Sequence, residues 1–240
     1  MMDALLELKD TTVTYPDGTR ALDGFSLAAD DGDSIALVGE NGAGKTSALL
    51  TAVGILEAVS GYVEADGVRL SKKTVNAVRQ TVQMVFQNPD DQLFMPYIYD
   101  DAAFGVRNAG LPEDEVALRV AETLETLNIG HLRDRSSLML SGGEKRLAAI
   151  ATVLAMRPKV LLFDEPTAFL DHKARRALII TLNALRQTKI IATHDMAFAA
   201  ETCRRVCIIK KGRAAADGPI TLLYDENLME SCGLAALKKE

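Results

Sequence analysis

The clearest chemistry in this sequence lies in residues 39–46, which read Gly-Glu-Asn-Gly-Ala-Gly-Lys-Thr. This is the spacing of a phosphate-binding loop, in which glycines let main-chain N–H groups wrap around phosphate oxygens. The lysine would reach the terminal phosphates, and the threonine hydroxyl would bind Mg²⁺. The residues expected to contact the phosphates are Gly39, Asn41, Gly42, Gly44, Lys45, Thr46 and Ser47.

Asp164 and Glu165 supply the carboxylates that such a loop needs for catalysis. They follow the apolar residues 160–163, which predict a buried strand. We expect Asp164 to hold Mg²⁺ directly or through water, and Glu165 to polarise the attacking water. An isolated Asp-Glu-Pro is often only the end of a strand, but the phosphate-binding loop favours the catalytic interpretation.

A second anion-binding device is predicted at residues 140–144, which read Leu-Ser-Gly-Gly-Glu. Ser141, Gly142 and Gly143 would lie at a helix N-terminus, where unpaired N–H groups and the helix dipole attract anions. One ATP needs one phosphate cradle, so we expect the second cradle to serve ATP bound by another copy. This interpretation predicts a head-to-tail dimer with two ATP molecules at its interface. The alternative is a helix that Ser141 merely caps.

Three further side chains, those of Tyr15, Gln87 and His194, lie near predicted strand ends. Tyr15 precedes a Pro-Asp-Gly turn, and its ring could pack under adenine, although a tyrosine in this position is more often a packing residue. In open α/β sheets ligands bind at the carboxyl ends of the strands, so one site can collect the residues found there. Those residues are Gly39, Gln87, Asp164 and His194.

The elements that must position these residues predict an α/β protein with a mostly parallel sheet, because strands alternate with helices in the second half. The start instead predicts an antiparallel β lobe with a hairpin. Residues 88–157 predict an inserted helical lobe with apolar residues at helical spacing. The predicted strands are 5–15, 21–29, 35–38, 61–70, 83–87, 160–163, 189–193 and 206–209, and the helices include 47–52, 141–156, 172–187 and 196–202.

Composition narrows the function classes. The chain has 240 residues, a net charge of −6 and a pI near 5.2, which argues against a nucleic-acid binder. No apolar run reaches the ~18 residues that span a membrane, and acids stand near the start where a secretion signal carries bases, so we expect a cytosolic chain. Only Mg²⁺ is implied as a metal, since the cysteines and histidines form no local cluster. They are Cys203, Cys207, Cys232, His131, His172 and His194.

Taken together, these motifs resemble those of the ATP-binding cassette (ABC) ATPases. The matching positions, in order, are Tyr15, residues 39–46, Gln87, residues 140–144, Asp164-Glu165, Leu170-Asp171 and His194. The resemblance implies one P-loop NTPase domain of the ABC type over residues 1–240, with ATP and Mg²⁺ as ligands. Three positions depart from the common pattern: Glu144 replaces Gln, Leu147 replaces Arg with Arg146 just before it, and Phe169 replaces a smaller residue.

The resemblance also implies a role for each motif residue. Tyr15 stacks on adenine, Glu165 is the catalytic carboxylate, and Gln87 senses both Mg²⁺ and the transport partner. Asp171 contacts the P-loop of the opposite copy, and His194 contacts the γ-phosphate.

Residues 86–94 (Phe-Gln-Asn-Pro-Asp-Asp-Gln-Leu-Phe) and 101–105 resemble the energy-coupling factor (ECF) importers, and within them the cobalt and nickel uptake ATPases. In that group an ATPase pair, of one chain or of two sister chains, binds an integral-membrane coupling (T) protein that holds a substrate-capture (S) protein. The resemblance implies a peripheral subunit on the cytoplasmic face of the cell membrane. Asp90 and Asp91 would meet basic side chains of the coupling protein, or else cap the helix that follows.

The predicted organisation is a core of residues 1–87 and 158–218, a helical lobe of residues 88–157, and short helices in residues 219–240. Contact between the two copies of a dimer is the one role that we consider for these short helices.

Two other functions stay open. One is an importer for vitamins or other solutes with the same core motifs. The other is a soluble cassette ATPase acting on DNA or ribosomes, against which the acidic balance and the lack of room for long coiled-coil insertions both argue.

Overall fold

The computed structural model describes residues 4–238, so the acidic start of the chain lies partly outside the described residues. No helix within that range has both the length and the apolar character needed to cross a bilayer. The chain divides into two compact units. The first unit consists of Met1–Met84, Lys159–Glu165 and Arg186–Glu240, and the second of Val85–Pro158 and Pro166–Leu185.

Strands and helices follow one another along the chain as follows. The strands are β1 (Leu6–Thr14), β2 (Arg20–Ala29), β3 (Ser34–Val38), β4 (Ser60–Ala65), β5 (Val68–Arg69), β6 (Val82–Val85), β7 (Val160–Asp164), β8 (Thr188–Ala192), β9 (Arg205–Lys210) and β10 (Arg213–Pro219). The helices are α1 (Lys45–Ala52), α2 (Val75–Thr81), α3 (Ile98–Asn108), α4 (Glu113–Thr126), α5 (Gly142–Leu154), α6 (His172–Ala184), α7 (Met196–Thr202) and α8 (Glu226–Ser231).

An antiparallel sheet in the order β2-β1-β4-β5 forms one layer of the first unit. Its central strand β1 alternates buried and exposed residues over most of its length, as a strand with one covered face does. A tight turn joins β1 to β2, in which the N–H of Gly18 donates to the carbonyl of Tyr15. The predicted antiparallel lobe and its hairpin are therefore confirmed.

The second sheet has the order β10-β9-β3-β8-β7-β6. Strands β9, β3, β8 and β7 run parallel to one another, and β10 is antiparallel on β9. Every residue of β3, β7 and β8 is buried, which is typical of a parallel sheet covered on both faces. The carboxyl ends of these three strands lie side by side, so the residues that follow them meet at one edge.

Helices α3 to α6 build the second unit. Along α4 the buried residues Val116, Val120 and Leu124 recur every four residues, as in a helix with one covered face, and three acids occupy the first turn. Helix α5 packs against α3, α4 and α6. Its interior positions are accordingly almost all buried, which makes α5 the central helix of this unit.

Several sequence predictions differ from the structure at element ends. The predicted strand 83–87 ends at Val85, because the carbonyls of Phe86 and Gln87 accept hydrogen bonds from a distant side chain instead of a neighbouring strand. The predicted helix 172–187 ends at Ala184, where Leu185 turns to extended backbone. The sequence prediction placed residues 166–185 with the core, whereas the structure groups them with the helical unit, since α6 packs on α5.

Three elements were not predicted at all: α2, α3 and β10. Helix α3 contains Gly105, a poor helix former. A Cβ at that position would lie 2.8 Å from the sulfur of Met156, so close packing explains the glycine. Strand β10 includes Gly218 and Pro219, both disfavoured in strands, yet it pairs along the edge of β9.

The three cysteines are buried, and none of them forms a disulfide. Burial raises the pKa of the Cys203 thiol to about 11 and that of Cys207 to about 12. Both thiols therefore stay protonated at neutral pH and are poor nucleophiles.

Candidate functional site

The phosphate-binding loop joins β3 to α1 within the first unit, and its middle residues Asn41 and Gly42 are exposed. Gly44 has φ +113°, a value that L side chains rarely adopt. A Cβ there would lie 2.5 Å from the carbonyl oxygen of Ala21, and a Cβ at Gly39 would lie 2.3 Å from that of Ile209. These two glycines are thus required by close backbone packing as well as by the shape of the loop.

Lys45 folds back over the loop that precedes it. Its Nζ donates to the carbonyl of Gly39 at 2.7 Å and to that of Glu40 at 3.1 Å, and the side chain is buried. Burial lowers the pKa of Lys45, while the charges of Glu165 and Asp164 act in the opposite direction. The ammonium group is therefore held over the loop, where a phosphate would replace the carbonyls as its partner.

Among the described residues, no side chain caps the N-terminus of α1, and its first turn contains no acid. Helix N-termini normally recruit Ser, Thr, Asp or Asn for this purpose, because the first N–H groups have no partner within the helix. An uncapped N-terminus behind a glycine-rich loop leaves those N–H groups and the positive end of the dipole available to an anion.

Thr46 and Asp164 meet although they are far apart in sequence. The Thr46 hydroxyl donates to Asp164 Oδ1 at 3.1 Å, and Asp164 is buried at the end of β7. Hydroxyl and carboxylate oxygens are the hard ligands that Mg²⁺ prefers. Among the described residues, no group of three His, Cys, Asp or Glu side chains could hold a metal alone, so the pair fits an ion that takes its remaining ligands from phosphates and water.

Glu165 is held in a strained conformation beside His194. Its φ of +42° lies in the left-handed region, which is uncommon for a non-glycine residue, and strain of this kind concentrates at functional sites. The carboxylate Oε2 lies 2.8 Å from His194 Nδ1 and accepts from the His194 N–H at 3.3 Å. Glu165 is buried, whereas the His194 side chain is 68% exposed. The pair therefore presents one buried carboxylate and one exposed imidazole.

Tyr15 is linked directly to the first turn of α1. Its hydroxyl lies 2.9 Å from the Oγ of Ser47, which is buried. The sequence prediction gave Tyr15 a role through its ring alone, so this hydrogen bond adds a contact between the end of β1 and the phosphate-binding loop. Of the predicted residues, the first unit therefore brings together Tyr15, the loop residues 39–47, Asp164, Glu165 and His194.

The second unit carries the other predicted residues, and Ser141 begins its helix α5. The Ser141 hydroxyl accepts from the N–H of Glu144, and the Glu144 carboxylate accepts from the Ser141 N–H at 2.8 Å and from its hydroxyl at 2.6 Å. This reciprocal arrangement is a capping box. The hydrogen bonds from Ser141 lower the pKa of Glu144, so a negative charge occupies the start of α5 at neutral pH.

Gly142 and Gly143 follow Ser141 and pack closely on the segment around α6. A Cβ at Gly143 would lie 2.9 Å from the Cβ of Ala174. Asp171 caps α6, since its Oδ1 accepts from the Ala174 N–H at 2.7 Å. Phe169 is 91% exposed at φ +64°, an unusual state for an aromatic residue.

Gln87 is exposed, and the segment around it is fixed by side chains that sequence reasoning did not select. Arg146, which is 1% exposed, donates from Nη1 to the Phe86 carbonyl at 2.7 Å and from Nη2 to the Gln87 carbonyl at 2.6 Å. The signal was present, because position 146 lies on the same helical face as the apolar residues Ile150 and Val153. An arginine on a buried helical face needs partners.

Asp90 and Asp91 do not cap a helix of their own. They lie within a short 3₁₀ turn that Asn88 caps by accepting from the Asp90 N–H. Asp90 accepts from Lys145 Nζ at 2.6 Å. The capping alternative is therefore wrong for these two residues, and Asp90 already has a basic partner inside the chain.

The chain is similar to known proteins over most of its length. Residues 22–168 match the family described as ABC transporter. The chain is 42% identical over 236 residues to the energy-coupling factor transporter ATP-binding protein EcfA of Methanothermobacter thermautotrophicus, covering 96% of this chain and 76% of the relative. It is 44% identical over 239 residues to the cobalt import ATP-binding protein CbiO of Rhodobacter capsulatus, covering 97% and 85%.

A solved structure gives the same result for the fold. The chain superposes with a TM-score of 0.82 and 38% identity on cbiO1 from Clostridium perfringens, a part of the ABC transporter complex cbiONQ, covering 94% of this chain and 92% of that one. The predicted ABC-type α/β fold is confirmed. The chain therefore belongs to the ABC transporter family, as an ATP-binding subunit that hydrolyses ATP.

Proposed function

We propose that this chain powers an ECF-type importer for cobalt or nickel ions, as a peripheral subunit on the cytoplasmic face of the cell membrane. Its likeness to an EcfA and to a cobalt import CbiO supports the importer type and the cargo. Its partners in this proposal are an integral-membrane coupling protein and a substrate-capture protein. The likeness to a subunit of the cbiONQ complex supports such an assembly.

The first unit binds and hydrolyses ATP in this proposal. Main-chain N–H groups of the loop and the uncapped N-terminus of α1 hold the phosphates, and Lys45 exchanges its loop carbonyls for phosphate oxygens. Tyr15 packs under the adenine. Glu165 orients the attacking water and accepts its proton, and His194 steadies the Glu165 carboxylate while its exposed ring reaches toward the γ-phosphate.

Thr46 and Asp164 are the residues that would hold Mg²⁺, since their oxygens already meet in the first unit. When bound there, the ion would supply positive charge to offset the charge of the phosphate oxygens. Gln87 is the residue that we propose to sense this ion and the coupling protein.

Two copies of the chain, or this chain and a sister, close on two ATP molecules in the proposed cycle. Ser141, Gly142 and Gly143 of one copy cradle the nucleotide held by the other, and Asp171 contacts the opposite P-loop. ATP binding favours closure, because the second cradle gains its anion only then. Hydrolysis and phosphate loss remove that anion and reopen the pair.

The single observation that carries the proposal is the convergence of Thr46, Asp164, Glu165 and His194 in the first unit, from segments well separated in sequence. A hydroxyl–carboxylate pair suited to Mg²⁺ and a strained, buried glutamate beside a histidine form the arrangement that phosphoryl transfer to water requires. A glycine-rich turn with a purely structural role would need neither.

Purification of the tagged chain from solubilised membranes, followed by mass spectrometry, tests the importer assignment. We expect a multi-span coupling protein together with a capture protein that binds cobalt or nickel. A vitamin-binding capture protein or a second ATPase would keep the mechanism and change the cargo or the pairing. Recovery from the soluble fraction only, with ribosomes or DNA, would contradict the transport function.

A further inference from the structure

The Gln87 loop, which we define as residues 86–92, is attached along one side of helix α5. Both lie in the second unit. The contacts run in order along the helix: Lys145 Nζ donates to Asp90 Oδ1 at 2.6 Å, Arg146 donates to the Phe86 and Gln87 carbonyls, and Gln92 Nε2 donates to the Ala149 carbonyl at 2.9 Å and to Thr152 Oγ1 at 2.7 Å. Two turns of α5 therefore hold the whole loop.

Arg146 is the strongest of these attachments. The guanidinium is 1% exposed, and its planar fork gives two charge-assisted hydrogen bonds to successive carbonyls at 2.7 and 2.6 Å. Lys145 and Asp90 are 20% and 56% exposed, so water screens that ion pair. Gln92 adds neutral bonds, and its Oε1 accepts from the Phe86 N–H at 3.1 Å.

The same helix begins with the residues proposed to cradle the second nucleotide. Ser141 is the N-cap of α5, and Arg146 lies five residues further on. A helix rises 1.5 Å per residue, so about 7.5 Å of rigid helix separates the cradle from the point where the loop is attached. The loop is therefore attached to the same rigid helix that carries the cradle, close to its N-terminus.

We infer that Arg146 is a positioning residue that fixes the Gln87 loop to α5 and so holds the loop and the Ser141 cradle in register for ATP hydrolysis. This inference rests on the proposed function. It assigns a role to an arginine that stands one position before the one common in the family. It also gives Asp90 a role inside the chain, because its ion pair with Lys145 helps to attach the loop to α5, instead of the predicted contact with the coupling protein.

The test compares Arg146→Lys with Arg119→Lys, a matched control in the same unit whose guanidinium pairs with Glu115 within α4. Lysine keeps the charge and loses the fork, so it cannot reach both carbonyls equally well. We would measure three quantities: ATP affinity of the single chain, steady-state ATP hydrolysis, and amide hydrogen exchange of residues 86–92.

For Arg146→Lys we expect faster exchange at residues 86–92 with unchanged exchange at residues 39–46. The ATP affinity of the single chain should stay at the wild-type value, while kcat falls about ten- to a hundredfold, since a buried charge-assisted attachment to the cradle is lost. Arg119→Lys should behave as the wild type in all three measurements. Unchanged exchange and unchanged kcat in folded Arg146→Lys would overturn the inference.

If Arg146→Lys does not fold, Gln92→Leu tests the same attachment from the loop side. We expect a smaller rise in exchange at residues 86–92 and a smaller loss of kcat, and wild-type values would again overturn the inference. The proposed dimer is tested separately by ATP-dependent pairing of Glu165→Gln. A monomeric Glu165→Gln would contradict the proposed function, while the exchange of residues 86–92 would still decide the role of Arg146.

Discussion

The N-termini of α1 and α5, which we propose as the two anion-binding sites of this chain, differ in their capping. Helix α1 begins behind Gly44 with no acid in its first turn and, among the described residues, no side-chain cap. Helix α5 begins with Ser141 and is closed by a full capping box in which Glu144 accepts two hydrogen bonds. The first N–H groups of α1 thus have no side-chain partner, whereas the start of α5 is capped by Ser141 and carries the carboxylate of Glu144.

This difference suggests an order of events. The loop before α1 has main-chain donors and the Lys45 ammonium available, so a single chain should bind ATP by itself. The start of α5 presents Glu144, whose charge opposes a second anion, so it should engage ATP only when another copy presents the phosphates in a closed pair.

Lys45→Ala should remove most of the ATP binding of the single chain. The variant loses a buried cation aimed at the phosphates, and one charge-assisted contact of this kind is worth about 1.5–3 kcal/mol, or at least about tenfold in affinity. Equilibrium titration with ATP measures the loss. Lys72→Ala, at an 88% exposed side chain, is the control and should bind as the wild type does. Equal affinities for the two variants would break the comparison at α1.

Ser141→Ala should leave the ATP affinity of the single chain unchanged and weaken pairing. The substitution removes the hydroxyl of the cradle and also the cap, which costs about 1 kcal/mol of stability. Thermal unfolding measures the loss of stability. Light scattering of the double variant with Glu165→Gln measures the weakened pairing. A loss of ATP affinity in the isolated chain would mean that α5 contributes to binding before pairing.

Tyr15→Phe should weaken ATP binding only a few-fold. Phenylalanine keeps the ring for adenine but loses the hydrogen bond to Ser47, which is worth about 0.5–1.5 kcal/mol. Tyr62→Phe is the matched control, because it removes a hydroxyl that binds Glu7 in the same unit. An unchanged affinity in Tyr15→Phe would show that the hydroxyl does not support Ser47 during binding.

Glu144→Gln should strengthen pairing slightly, by a few-fold at most. Glutamine keeps an acceptor for the Ser141 N–H and removes the charge that opposes the second anion, an effect of about 0.3–1 kcal/mol at a helix N-terminus. Weaker pairing in this variant would contradict the view that the Glu144 carboxylate competes with ATP.

The effect of Glu144→Gln on the free energy of unfolding should depend on pH. Hydrogen bonds from Ser141 lower the pKa of Glu144 below its ordinary value of 4.5. The stabilisation from the ionised carboxylate is therefore fully present above pH 4.5 and is lost as the pH falls through the lowered pKa. The difference in the free energy of unfolding between wild type and Glu144→Gln should shrink over that acidic range, as followed by thermal unfolding.

Sequence alone was sufficient where the chemistry is local. The spacing of residues 39–46 and the apolar residues before Asp164 predicted the strands β3 and β7 and the helix α1, because a glycine-rich loop and a buried strand each have a recognisable sequence pattern. The use of these residues stays a prediction. The rule that parallel strands end at one edge of the sheet predicted a shared site for Gly39, Gln87, Asp164 and His194. The hydrogen bond between Thr46 and Asp164 was found only in the structure.

Sequence was insufficient where a distant side chain decides the structure. The predicted strand 83–87 stopped short because Arg146, some sixty positions later, takes two of its carbonyls. Helix α3 was not predicted because it contains Gly105, a poor helix former. A glycine is needed there because Met156 packs closely against it, which the sequence does not reveal. The capping alternative for Asp90 and Asp91 was wrong because Asn88 caps that turn and Lys145 pairs with Asp90.

If ATP joins two copies across the start of α5, a variant that retains its ATP should stay paired. Purified Glu165→Gln, which should bind ATP and hydrolyse it very slowly, is examined by size-exclusion chromatography with light scattering, with and without MgATP. We predict a mass of twice the 25.9 kDa of the chain with MgATP and a monomer without it. A variant that binds ATP yet stays monomeric at high concentration would contradict the account.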